Sequence, residues 1–251
     1  MTDHAPSVTR AGPVPISEAF GRLRGDALQW DAIQQTRLRI NNMFKAFDRL
    51  ERPYPPGMAE VVVGELEKHE RLQLKAVQVS MREGDEWMQH VHAFICQTSG
   101  LGPAVFCVLG LIPPIPQFPN PAKLWAYLGL AVVDGKAVKL PMPPPPNNPR
   151  GAPGMHFSRR IRAYATVRVV DPIIKHATSP YRLIYDARRM HTIVTHPEWA
   201  EERNKKGELT PAGHYYRDAI RYTAKRLWRD VWNVAHDDQP GPVTHCLTVA
   251  P

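Results

Sequence analysis

The sequence predicts a mainly α-helical fold made of a long antiparallel coiled-coil hairpin, a helix-hairpin-helix-like unit and a basic C-terminal helical bundle. Apolar residues recur at threes and fours through most of the chain, which is the spacing of a helix face. Prolines are twice as common as usual, 26 in 251 residues, and they cluster at a few points, so they mark breaks between segments. The positive charge is concentrated too. Residues 150 to 236 hold 17 Lys/Arg against 8 Asp/Glu, while the whole chain carries a formal charge of +8.

Residues 1–25 are expected to form a flexible arm, because the first 17 are rich in Pro, Ser and Thr and show no apolar period. From Asp26 to Glu51, the residues Ile33, Ile40, Phe44 and Phe47 share one helical face, with Arg37, Arg39, Lys45 and Arg49 off it. Arg52-Pro53-Tyr54-Pro55-Pro56-Gly57 must stop that helix, since proline lacks a backbone donor and restricts its neighbour. Ala59, Val63, Leu66, Leu74, Val77, Met81, Met88, Val91 and Ile95 then predict one long second helix. The two would pair as a hairpin over 26–97. Phe44, Phe47, Val77 and Met81 are its candidate partner-binding residues, in a homodimer or against another protein, although the same stripe could simply pack the hairpin.

A helix-hairpin-helix-like unit is expected over 98–140. Gly100-Leu101-Gly102 followed by Pro103 lies between helices, where glycine lets backbone N–H groups approach a phosphate. Gly100 and Gly102 are therefore candidate phosphate contacts, and glycine as an ordinary helix stop is the alternative. The run PMPPPPNNP forms a Pro-rich linker at 141–150, a basic helical domain follows at 151–236, and a tail closes the chain at 237–251. Helical patterns appear at Ser158–Val170, Ser179–Met190 and Thr210–Ala235.

An excess of cations confined to one domain is the electrostatic footprint expected of a partner with phosphates, and an acidic protein is the alternative. Arg217, Arg221 and Lys225 recur one turn apart, as a stripe tracking a phosphate backbone would. Arg159, Arg160, Arg162, Arg182, Arg188, Arg189 and Arg226 complete the nucleic-acid-binding candidates. The interleaved tyrosines fit a core role better than base stacking, because they adjoin Trp228 and Trp232.

No cofactor and no metal are expected. His90, His92, Cys96 and Cys107 match no common zinc spacing, and His90 and His92 point to different faces of one helix. The three cysteines are unevenly spaced and read as reduced thiols, two of them buried, which suggests a cytoplasmic setting, nucleoid-associated in a bacterial host. Leu101 to Phe118 is the most apolar stretch, yet prolines at 103, 113, 114 and 116 interrupt it, so membrane insertion is not expected.

Read in order, the hairpin, the Gly100-Leu101-Gly102-Pro103 turn, Phe118–Leu130 and the basic helices resemble the C-terminal half of Piv/MooV-type transposases and invertases of bacterial insertion sequences. Ala126-Tyr127-Leu128-Gly129-Leu130, Tyr181-Arg182-Leu183-Ile184-Tyr185 and Ala224-Lys225-Arg226-Leu227 carry the resemblance. It implies a DNA-recombination setting. It also implies a RuvC-like domain with four acidic metal ligands, and a serine nucleophile after the "A-Y-x-G-L" element. The residues before the first helix are too few for that domain. Asp134-Gly135-Lys136 stands where the serine is expected, and no Ser or Thr occurs between Gly100 and Phe157. Ser158 is the nearest remaining candidate nucleophile, but a serine opening a helical pattern serves as an N-cap.

The expectation is thus an accessory factor of phage or mobile-element recombination, without a catalytic centre of its own, that binds DNA, a recombinase or integrase, or both. A recombination directionality factor is one concrete form of it. The alternatives are a transposase-derived subunit acting with a separate RuvC-like partner, and a module that binds structured RNA.

Overall fold

A computed structural model describes residues 16–133, 136–137, 158–200 and 211–236. The fold is mainly α: α1 (Glu18–Arg49), α2 (Met58–Arg82), α3 (Glu86–Gln97), α4 (Ala104–Leu111), α5 (Pro121–Tyr127), α6 (Arg159–Ala163), α7 (Val169–Lys175), α8 (Pro180–Thr195) and α9 (Pro211–Ala235). A two-residue antiparallel ladder, β1 (Val132–Val133) with β2 (Lys136–Ala137), follows α5. Residues 1–15, the linker at 141–150 and the tail at 237–251 lie outside the described residues.

α1 begins at Glu18, so the arm expected over 1–25 is too long. Ser17 caps the helix by accepting from the Phe20 N–H at 3.0 Å, and its hydroxyl donates to Asp85 at 2.5 Å. Phe20 and Leu23 are buried one turn further on. A single apolar cluster joins α1, α4, α7, α8 and α9, so the expected units share one core.

The α1–α2 hairpin is present, but its seam mixes polar pairs with apolar contacts. Gln34 donates to Glu70 at 3.2 Å, and Ser80 to Asp26 at 2.6 Å. The turn is closed by Tyr54, which folds onto Phe44 and Phe47 and donates to Asp48. Gly57 takes φ +77° at the start of α2, a conformation other residues adopt only at a cost.

The expected long second helix is two helices. The chain breaks after Arg82 and restarts at Glu86, and Gly84 sits at the bend. A Cβ there would meet the buried Met88 side chain at 2.3 Å and the Ser80 carbonyl oxygen at 2.9 Å. α3 then turns away to pack on α9.

α4 is buried along Val105–Gly110 and crosses α1 and α2. A Cβ on Gly110 would lie 2.5 Å from the Ala27 Cβ and 2.9 Å from the Leu23 carbonyl oxygen, so this glycine sets how closely α4 approaches α1. α5 starts on an Asn120 cap with Pro121 in the first turn. It ends where Gly129, at φ +69°, lets the Leu130 N–H reach the Trp125 carbonyl at 2.7 Å. That Schellman stop is the local cause of the Ala126–Leu130 pattern.

α6 and α7 form one rod interrupted by a π-helical segment, Tyr164–Arg168. There the Val169 N–H bonds back to the Tyr164 carbonyl, leaving the Ala165 carbonyl to accept from the Trp228 indole at 3.0 Å. α9 packs on α3, α5, α7 and α8. Trp232 pins it to the Phe118 carbonyl at 2.7 Å, and Trp125 donates to the Lys225 carbonyl at 3.0 Å.

Candidate nucleic-acid interface

Several of the basic candidates are held by a carboxylate or a ring. Arg160 is 3.0 Å from the buried Asp31, which also accepts from the Tyr164 hydroxyl at 2.8 Å. Arg182 pairs with Asp186 at 2.6 Å and donates to the Ile174 carbonyl. Arg188 pairs with Asp218 at 2.6 Å and lies over the Tyr222 ring, which Arg226 approaches from 5.6 Å. These side chains fasten α6, α8 and α9 to their neighbours.

Arg221 acts through its charge on both Arg162 and Lys225. The stripe Arg217, Arg221 and Lys225 runs along α9, and the structure adds Arg162 from α6 beside it. Burial, and then the charge of Arg221, hold Arg162 below its ordinary value. The same two causes, in the same order, lower Lys225. Arg221 also acts on Asp218, but that carboxylate is engaged with Arg188. Like charges that act on one another repel, and an anion beside them would relieve that repulsion. Arg159, at the start of α6, and Arg189 are exposed.

Trp125 completes the face. Its indole ring lies 5.1 Å from the Lys225 ammonium while its N–H holds the Lys225 backbone. Nothing in the sequence points to it, because a tryptophan on a seven-residue helix carries no periodic signal.

Gly100 has a packing reason for being glycine. Its φ is +85°, and a Cβ would meet His176 and Ser179 at 3.0–3.2 Å, where the turn docks on the α7–α8 connection. Ser99 contacts Thr178 at 2.8 Å in the same joint. Gly102 faces open space. Ser158 caps α6 by accepting from the Ile161 N–H at 3.3 Å, which accounts for its place in the sequence.

The four residues read as partner-binding are turned inward instead. Val77 and Met81 are fully buried, Phe44 is 4% exposed and Phe47 is half-buried against Tyr54. They fill the seam because they lie on the faces that α1 and α2 turn toward each other. Cys96 is exposed, contrary to its apolar setting in sequence, while burial pushes the Cys107 thiol well up. Among the described residues, no three His, Cys, Asp or Glu side chains gather at metal-binding distance, and no helix is long and apolar enough to cross a membrane.

Compared with protein-family models, curated proteins and solved structures, the chain matches none of them.

Proposed function

We propose that this chain is a non-catalytic accessory factor of site-specific DNA recombination, and that it holds duplex DNA by its phosphates along α6 and α9. The observation supporting it is that Arg221 lies within charge–charge reach of both Arg162 on α6 and Lys225 on α9, with the Trp125 ring against Lys225. Phosphate contacts of this kind position a protein on DNA without reading sequence. The recombination setting is drawn from the resemblance carried by Ala126–Leu130, Tyr181–Tyr185 and Ala224–Leu227. The absence of serine and threonine between Gly100 and Phe157 favours a non-catalytic role. A recombinase or integrase is the protein partner such a factor would act on.

The test is the salt dependence of duplex binding, read by fluorescence anisotropy. Replacing Arg162, Arg221 and Lys225 together with Ala lowers the slope of log affinity against log salt by about 2 to 3, since each phosphate contact contributes about 0.9. Arg49→Ala, on the hairpin, leaves the slope unchanged. Tighter binding to an A-form RNA duplex than to DNA would move the reading to RNA. Nicking of supercoiled DNA with magnesium, lost in Ser158→Ala, would replace it with a catalytic one.

A further inference from the structure

The apolar side chains that the hairpin leaves outside are not those of its seam. Val61, Leu72 and Val79 of α2 are 65%, 62% and 41% exposed. At 100° per residue they fall on one line along the helix, opposite the face that buries Glu70, Val77 and Met81. Glu65, Lys68 and Lys75 are exposed and fill the gaps of the same line, all six within an arc of about 80°.

The charges on α2 are graded. Four Glu and four Lys/Arg leave it neutral in a basic chain, with Glu60, Glu65 and Glu67 against Lys68 before residue 70 and Arg71, Lys75 and Arg82 after it. This composition does not suit a phosphate partner. The gradient does complement the helix macrodipole, but that effect ends within the first and last turns, and Glu65, Glu67 and Lys75 lie further in.

We infer that α2 packs antiparallel against α2 of a second copy, about a two-fold axis at the level of residue 70, the midpoint of the helix. The register follows from the residues. Val61 and Val79 are equidistant from 70, so each Val61 meets the other copy's Val79. Glu65 and Lys75 are equidistant too and form an ion pair across the axis, and Leu72 meets the aliphatic stem of Lys68. A two-fold contact of this type uses the same patch on both copies and closes on itself. A parallel pairing would set Glu against Glu, so the gradient selects the antiparallel one. The second copy therefore covers the apolar line and pairs its charges in one arrangement. This dimer does not depend on the nucleic-acid reading, and it is measured without nucleic acid.

Equilibrium sedimentation of the full chain at tens of micromolar is expected to show a dimer, and Leu72→Glu to give a monomer with unchanged helical circular dichroism. Glu65→Lys and Lys75→Glu each weaken dimerisation about tenfold, and the two together restore most of it. Register is tested by cross-linking in a Cys96→Ser, Cys246→Ser background. Val61→Cys with Val79→Cys gives a covalent dimer on mild oxidation, and neither substitution alone does. The two positions are about 27 Å apart within one helix, and so are the two copies of position 61 across the axis. A wild-type monomer overturns the inference. So does a dimer that Leu72→Glu and the single charge reversals leave intact, or one in which Val61→Cys cross-links by itself.

Discussion

The Trp228 indole donates to the Ala165 carbonyl 3.0 Å away, at the turn where the α6–α7 rod gives up its α-helical hydrogen bonding. The π segment frees that carbonyl and the tryptophan satisfies it, so the irregular turn and the core of α9 depend on each other. Trp228 is fully buried, and no water can take over the bond. Trp228→Phe keeps most of the volume but orphans the carbonyl. It is expected to cost about 1 to 3 kcal/mol in urea unfolding.

Glu70 joins three segments. Its carboxylate is 2.8 Å from Arg37 and 2.9 Å from Arg168, and it accepts from Gln34. Glu70→Ala takes from the half-buried Arg37 its 2.8 Å carboxylate partner and leaves it the more exposed Glu67 at 3.7 Å. The expected loss is about 3 kcal/mol by the same measurement, because removing one side of a buried ion pair leaves the other poorly paired. Replacing the exposed Glu83, paired with Arg82 at the surface, is expected to change stability by less than about 1 kcal/mol.

Two glycines give opposite outcomes. Gly110→Ala drives a Cβ into Ala27 and the Leu23 backbone, where neither atom can rotate away, and should destabilise by about 1 to 3 kcal/mol. Gly21, inside α1, has nothing within 4 Å of its Cβ position. Gly21→Ala should stabilise by about 0.4 to 1 kcal/mol through a less flexible unfolded chain. The midpoint of thermal unfolding, followed by circular dichroism, separates the two.

Tyr164 gives the fold an alkaline limit. Its phenol is pushed up to about 12, first by burial and then by the hydrogen bond it donates to Asp31. The folded value lies above the unfolded one of about 10, so the protonated phenol stabilises the fold fully below pH 10 or so. That contribution is lost as pH rises through about 12. Urea midpoints should fall across this window and fall less in Tyr164→Phe.

Much of this was legible in the residues. The stop at Arg52–Gly57, the Ser158 cap and the helical character of the basic segment each have a local cause, and a local cause can be read in one stretch of chain. The break at Gly84 was not legible, because the apolar period continues from Val77 and Met81 into Met88 and Val91 without losing phase. Phe20 and Leu23 were missed for the reverse reason: two apolar residues are too few to set a period.

By itself, the sequence determined the helical class, most of the punctuation and the confinement of positive charge to 150–236. Tertiary structure decided which face of each helix met another and which charges were used up in doing so. Arg160, Arg162, Arg182, Arg188 and Arg221 look alike in sequence. Asp31, Asp186 and Asp218 claim three of them, and Arg162 is brought to Arg221. Periodicity fixes the angle of a side chain about its own helix axis, but not what stands opposite, since that depends on residues up to a hundred or more positions away in the chain. The same holds for α2: its pattern marks two lines of apolar residues, and only the packing of α1 shows which one is buried.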